Sequence, residues 1–187
     1  MSNDNIKFLV QSIQKSPVIT EKNFVYQEYQ NILSPKILNS LVSVKDNLVK
    51  TKLQGQETQF REKADSSNKI IREMMIMFSN ASFKKQLEKN FKTELTLSSV
   101  DIWYDTKKYF LKPHVDHASI KLSLQIYLDS AKHPGTCLHH DIDETPFKFF
   151  KYKQNHGYAL LSSEKTFHST EYSVQAGTRT SLYVRYQ

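Results

Sequence analysis

All seven histidines of this 187-residue chain fall between His114 and His168, and that clustering of imidazoles invites a metal reading. In Lys112-Pro113-His114-Val115-Asp116-His117, the two-residue spacing puts His114 and Asp116 on one side of an extended segment, where they can share an ion. A third ligand has to come from another strand, and His168 in Thr166-Phe167-His168-Ser169 stands alone in such a place. Two imidazoles and one carboxylate on one face of an ion leave open positions, the arrangement associated with oxygen-activating ferrous iron. An H-x-D tripeptide is a weak signal by itself. His139-His140-Asp141 spells it too, with a further acid at Asp143, and is read as a polar turn leading to Thr145-Pro146. What strengthens the first set is Arg179, beyond His168 and a turn at Gly177. Its guanidinium can grip a carboxylate through two charge-assisted hydrogen bonds. Ser181, two residues on, faces the same way and can donate a third. Cys137 is read as a strand-core residue, since no second soft sulfur ligand accompanies it.

These residues need strands to hold them. From about Leu95 the chain breaks into short runs rich in Val, Ile, Tyr, Phe and Leu, separated by polar or Gly-containing turns. The expected strands are Leu97 to Tyr104, Tyr109 to Val115, Ile120 to Leu128, Thr136 to His140, Phe147 to Lys153, Tyr158 to Ser162, Thr166 to Thr170 and Thr178 to Tyr186. Eight short strands suit a jelly roll. The N-terminal half reads as helical. Ser34-Pro35 is a capping residue followed by proline at the first helical position, opening the run Ile37, Leu38, Leu41, Val42. Ile70, Ile71, Met74, Met75, Met77 and Phe78 recur at helical spacing, and a further short helix follows Asn80-Ala81-Ser82 through Leu87 to Phe91. Between them, Thr51 to Lys69 is polar and without sustained periodicity, and reads as a long surface loop of the kind that serves as a lid.

Composition sets the outer bounds. With 39% hydrophobic and 12% aromatic residues, the chain is a folded, strand-rich globule rather than a disordered segment. Its length fits one domain, residues 1–187, with 1–94 as mainly helical support and 95–187 as the β core. No apolar run approaches the roughly 18 residues of a membrane span. The opening MSNDNIKFLV has neither a basic leader nor an apolar signal core, so a cytoplasmic protein without a membrane partner is expected. A single cysteine excludes an internal disulfide and agrees with a reducing compartment, which also keeps iron ferrous. The net charge of +7 comes with lysines spread along the chain, a pattern that solubility alone explains.

The motifs together resemble the 2-oxoglutarate- and iron(II)-dependent dioxygenases, in particular their prolyl-4-hydroxylase-like branch. The residues that carry the resemblance are His114-x-Asp116, Tyr127-Leu128-Asp129, Gly135-Thr136-Cys137-Leu138, His168 and Arg179-Thr180-Ser181, with Phe24 to Val42 similar to the strand-then-helix entry of that branch. The pattern departs from the family where Asp105-Thr106-Lys107-Lys108 replaces a glycine, where the usual double glycine is reduced to Gly135, and where Phe167 replaces a common tryptophan. The resemblance implies an α+β, mainly β fold: a double-stranded β-helix (jelly roll) core with N-terminal helices packed against it. It implies Fe(II) on His114, Asp116 and His168, and 2-oxoglutarate with its far carboxylate on Arg179 and Ser181. Tyr104 matches a tyrosine that helps hold the co-substrate in some relatives. O2 would be the oxidant, with room for ascorbate as a reductant. The activity implied is hydroxylation of a C–H bond, on a peptidyl proline or other amino-acid side chain, with succinate and CO2 formed. Two alternatives stay open: an AlkB-type nucleic-acid demethylase, for which Arg179 and Arg185 fit an R-x5-R ending, and a non-catalytic jelly-roll binding module.

Overall fold

Side chains on a strand alternate between its two faces, and in this chain the alternation sorts apolar residues from polar ones. The computed structural model describes residues 3–52, 60–106, 109–130, 135–170 and 178–187. In chain order the elements are α1 (Asn3–Lys15), β1 (Val18–Glu21), β2 (Phe24–Gln30), α2 (Pro35–Val44), a 3-10 turn (Lys45–Asn47), β3 (Lys50–Lys52), β4 (Arg61–Ala64), α3 (Lys69–Phe78), α4 (Ala81–Phe91), β5 (Leu97–Asp105), β6 (Leu111–His114), β7 (Leu122–Tyr127), β8 (Thr136–His139), β9 (Lys148–Phe150), β10 (His156–Leu161), β11 (Phe167–Thr170) and β12 (Arg179–Tyr186). All eight strands expected after Leu95 are present, with ends shifted by no more than three residues.

The strands form two antiparallel sheets, one of eight in the order β1-β2-β10-β7-β12-β5-β4-β3 and one of four in the order β6-β11-β8-β9. On the larger sheet, Val100, Ile102 and Tyr104 of β5, Leu122, Leu124 and Ile126 of β7, and Leu182, Val184 and Tyr186 of β12 share one core with Leu9 and Ile13 of α1, Ile37 and Leu41 of α2, Met74 and Phe78 of α3, and Phe83 and Leu87 of α4. The other face of the same strands carries Asp101, Trp103, Asp105, Ser123, Gln125, Arg179, Ser181 and Tyr183, so one set of strands serves both the core and a polar interior. A second apolar cluster, with Tyr26, Tyr127, Leu138, Phe150, Tyr158 and Leu160, fills one end of that interior.

Local chemistry explains the helix boundaries. Ser34 Oγ accepts from Ile37 N–H and Pro35 occupies the first turn, as expected. Asn80 Oδ1 accepts from the N–H groups of Ser82 and Phe83, and α4 ends at Lys92 in the left-handed region. Among the described residues no helix is long and apolar enough to cross a membrane.

The expectation for Thr51 to Lys69 is corrected. Residues 53–59 lie outside the described residues, but on either side of them β3 pairs with β4, and β4 pairs with β5 at the edge of the larger sheet. β4 is paired on both sides, but its sequence Arg-Glu-Lys-Ala fully buries only Ala64 and offers no apolar alternation to a hydrophobic pattern search. The helical reading of the N-terminal half likewise needs β1 and β2 added: β2 lies against β10 and extends the same sheet, as the resemblance of Phe24 to Val42 implies.

Candidate metal centre and anion pocket

The smaller sheet positions two of the three candidate ligands by register: His168 on β11 lies directly across from His114 on β6. Their rings are 4.3 Å apart between centroids. Asp116 follows two residues after His114, and His168 Nε2 comes within 3.7 Å of Asp116 Oδ1. Ligand atoms of all three lie within 4.8 Å of one another. Ligands at about 2.1 Å that share one face of an ion stand ~3 Å apart, so holding one would draw these side chains together by roughly an ångström each.

Hydrogen bonds set which atoms face that point. His114 Nδ1 is 2.9 Å from the Lys112 carbonyl, and His168 Nδ1 is 3.1 Å from the Thr166 carbonyl. A carbonyl only accepts, so each Nδ1 is the donor in its contact, which in the neutral ring leaves the lone pair on Nε2. The same device, a ring held by the carbonyl two residues earlier, therefore orients both imidazoles for metal binding. Asp116 is treated in kind. Its Oδ2 accepts from Ser123 Oγ at 2.6 Å and Ser162 Oγ at 3.3 Å, leaving Oδ1 on the side of His168.

The triad opens on a cleft of about 150 Å³ lined also by Arg61, Trp103, Leu111, Gln125, Arg179 and Arg185. Arg179 lines it, from the inward face of β12; Ser181, on the same strand face, is fully buried and does not line the cleft. Arg179 does not present the open two-nitrogen fork expected of it. Its Nε and Nη2 donate to Asp105 Oδ2 at 2.9 and 2.6 Å, and Nη2 also reaches Thr170 Oγ1 at 3.3 Å. Nη1 is buried and has no hydrogen-bond partner among the described residues. Leaving a buried donor so costs about 1–3 kcal/mol, more when it is charged. Ser181 Oγ accepts from Gln125 Nε2 at 3.0 Å, and Gln125 Oε1 accepts in turn from Tyr158 and Thr136.

Tyr104 is on the other face of β5. It packs into the helix-facing core and its hydroxyl donates to the Lys45 carbonyl. Burial, with Asp46 and Glu62 nearby, raises its hydroxyl well above the usual tyrosine range. The structure thus separates Tyr104 from the cleft that its neighbours Trp103 and Asp105 face. Alternation along Val100, Ile102, Tyr104 against Asp101, Trp103, Asp105 carried that information in the sequence.

Asp105 and Arg61 are the residues sequence reasoning missed. Asp105 lies directly between Arg61 and Arg179 across three adjacent strands. Arg61 Nε donates to Asp105 Oδ1 at 2.5 Å, and its guanidinium sits over the rings of Trp103 and Tyr109, 4.4 and 4.3 Å from their centroids. Burial alone would raise the Asp105 carboxyl, but Arg179 and Arg61 together hold it below its ordinary value.

His139, of the second H-x-D, is buried and both ring nitrogens are taken: Nδ1 by the Glu144 carbonyl and Nε2 by Ser169 Oγ, each at 2.8 Å. Cys137 is buried, as a strand-core residue should be.

No family model matches the chain, and no curated protein matches it in sequence. Solved structures do. An oxidoreductase of the 2OG-Fe(II) oxygenase family from Burkholderia pseudomallei aligns over 100% of this chain and 91% of its own with TM-score 0.68 and 13% identity. A prolyl hydroxylase from Trichoplax adhaerens, in complex with a peptide fragment of a hypoxia inducible factor oxygen degradation domain, aligns over 97% and 88% with TM-score 0.64 and 9% identity. The epimerase SnoN, in complex with Fe3+, alpha ketoglutarate and nogalamycin RO, aligns over 100% and 84% with TM-score 0.60 and 10% identity. The chain therefore has the fold of the 2-oxoglutarate/iron(II) oxygenases, a double-stranded β-helix with helices packed on its larger sheet.

Proposed function

We propose that the protein is an Fe(II)- and 2-oxoglutarate-dependent dioxygenase with iron on His114, Asp116 and His168. The observation that carries the reading is the ligand triad itself, two imidazoles each held by a backbone carbonyl at Nδ1 and one carboxylate beside them, with ligand atoms within 4.8 Å of one another. Oxygen donors and imidazoles with open positions suit ferrous iron. The 2-oxoglutarate far carboxylate has a matching donor in Arg179 Nη1, the buried charged nitrogen that the described protein leaves unsatisfied. Ser181 stands on the same strand face and Thr170 Oγ1 beside the same guanidinium.

With iron and 2-oxoglutarate bound, the centre would supply O2-driven C–H oxidation, with succinate and CO2 as co-products. The chain's own part is to fix the ligands through Lys112, Thr166, Ser123 and Ser162, and to hold the co-substrate at one end of the cleft. The substrate we favour is a peptidyl proline or other amino-acid side chain. Support comes from the peptide-bound prolyl hydroxylase of the same fold and from the motif order around His114, Gly135 and Arg179. Arg185, the residue on which the AlkB-type alternative rests, does line the cleft. Its guanidinium is tied to Asp101 and Ser99, so it is less open to a base or phosphate.

The test is succinate formation from 2-oxoglutarate with ferrous iron, with mass spectrometry of peptides and alkylated oligonucleotides in parallel. Arg179→Ala is expected to weaken 2-oxoglutarate binding on the order of 10- to 100-fold, the worth of one charged hydrogen bond, with iron affinity retained. Demethylation of an alkylated base with no hydroxylated peptide or amino acid, lost steeply with added salt, would favour the nucleic-acid alternative instead.

A further inference from the structure

The cluster Arg61–Asp105–Arg179 holds two guanidiniums against one carboxylate in a nearly dry setting. Side-chain exposure is 1% for Arg179 and 2% for Asp105, and 19% for Arg61. Without Arg61, the Arg179–Asp105 pair is neutral overall. A neutral pair has little reason to attract a dianion, because Asp105 repels the incoming carboxylate about as strongly as Arg179 attracts it. Arg61 changes that balance. It neutralises Asp105 by donating from Nε to Oδ1 and, at 3.3 Å, from Nη2 to Oδ2, while Asp105 Oδ2 also pins Arg179 by Nε and Nη2. The cluster is then left with one net positive charge and, among the described residues, one buried donor without a partner, Arg179 Nη1. Arg61 comes from β4, remote in sequence from every motif residue, and its guanidinium is held in place by the rings of Trp103 and Tyr109.

We propose that Arg61 is a positioning residue of the co-substrate pocket, acting through Asp105 to keep Arg179 oriented and the pocket cationic toward the far carboxylate of a 2-oxo diacid. The inference rests on the oxygenase reading and adds a residue to it. It explains why an acid sits against the very arginine meant to bind an acid: Asp105 orients Arg179, and Arg61 removes the electrostatic cost. Removing a unit charge at this range in a partly buried site should weaken binding of the diacid on the order of 10-fold.

The experiment is calorimetric titration of the nickel-loaded protein, in which no turnover occurs, with 2-oxoglutarate and with 2-oxobutanoate. The second ligand has the same chelating 2-oxoacid head and lacks the far carboxylate. Arg61→Gln is expected to weaken 2-oxoglutarate roughly 10-fold and to leave 2-oxobutanoate within about two-fold. Arg61→Met, whose stem retains the contact with Trp103 and Tyr109, should do the same and serves if the glutamine variant does not fold. Arg61→Lys should recover most of the diacid affinity, because it restores the charge. Equal weakening of both ligands, or none of either, overturns the inference while the oxygenase reading stands. Wild-type protein that binds neither ligand overturns both.

Discussion

His114-Val115-Asp116 and His139-His140-Asp141 spell the same tripeptide on neighbouring parts of one small sheet system, yet among the described residues only the first belongs to a cluster that could hold an ion. The difference lies in where the polar atoms are already committed. At the first, each histidine of the triad has Nδ1 turned to a carbonyl two residues back, and Asp116 has one oxygen held by Ser123 and Ser162. One ligand atom per residue is left facing a common point. At the second, both nitrogens of His139 are consumed by Glu144 and Ser169. His140 is stacked on Phe147 with ring centroids 3.9 Å apart, and Asp141 caps the N–H of Ile142. The same letters make a candidate metal centre in one place and a structural clasp in the other, and the deciding residues are ordinary serines and carbonyls outside the tripeptide.

The largest effect that could break this contrast is on turnover. His114→Ala, Asp116→Ala and His168→Ala are each expected to abolish iron-dependent succinate formation, since a facial site of three protein ligands does not survive the loss of one. His139→Ala and Asp141→Ala should keep most of it. A smaller effect sharpens the contrast through the serines. Ser123→Ala removes the 2.6 Å hydrogen bond that turns Asp116 and is expected to lower metal affinity by about 10- to 100-fold, the usual scale for outer-shell partners. Ser169→Ala, which removes the equivalent partner of His139, should leave metal affinity unchanged; both are read by competition with a chelating dye. The smallest effect runs the other way. In metal-free protein, His139→Ala should cost about 1–3 kcal/mol in urea unfolding, because it strands a buried hydroxyl and a carbonyl. His114→Ala, at a partly exposed cleft residue, should stay within about 0.5 kcal/mol.

Much of this was legible before any coordinates. The β strands after Leu95 announced themselves by short β-branched and aromatic runs, and the cap at Ser34 by residue type. The candidate triad stood out because His114 and Asp116 lie two residues apart in an extended segment and His168 stands alone near a later strand. Two features were not legible, each for a physical reason. The β3–β4 edge has no apolar face long enough to show a period of two. The placement of Asp105 beside Arg179 depends on cross-strand register, with Arg61, Asp105 and Arg179 aligned over β4, β5 and β12, and register is set by the whole sheet rather than by any local run. Tyr104 is different: alternation along β5 was sufficient to place it with Val100 and Ile102 on the helix side, and the family resemblance outweighed that signal. Gly157 shows how tightly the site's support is built. A Cβ there would stand 2.2 Å from the carbonyl oxygen of Gln125, the residue that links Ser181 to Tyr158.

The most direct test of the central claim is ferrous iron binding under anaerobic conditions, measured by equilibrium dialysis on wild-type protein, His114→Ala and His139→Ala. One iron per chain is expected for wild type and for His139→Ala, and none for His114→Ala. Iron retained by His114→Ala and lost from His139→Ala would contradict that claim.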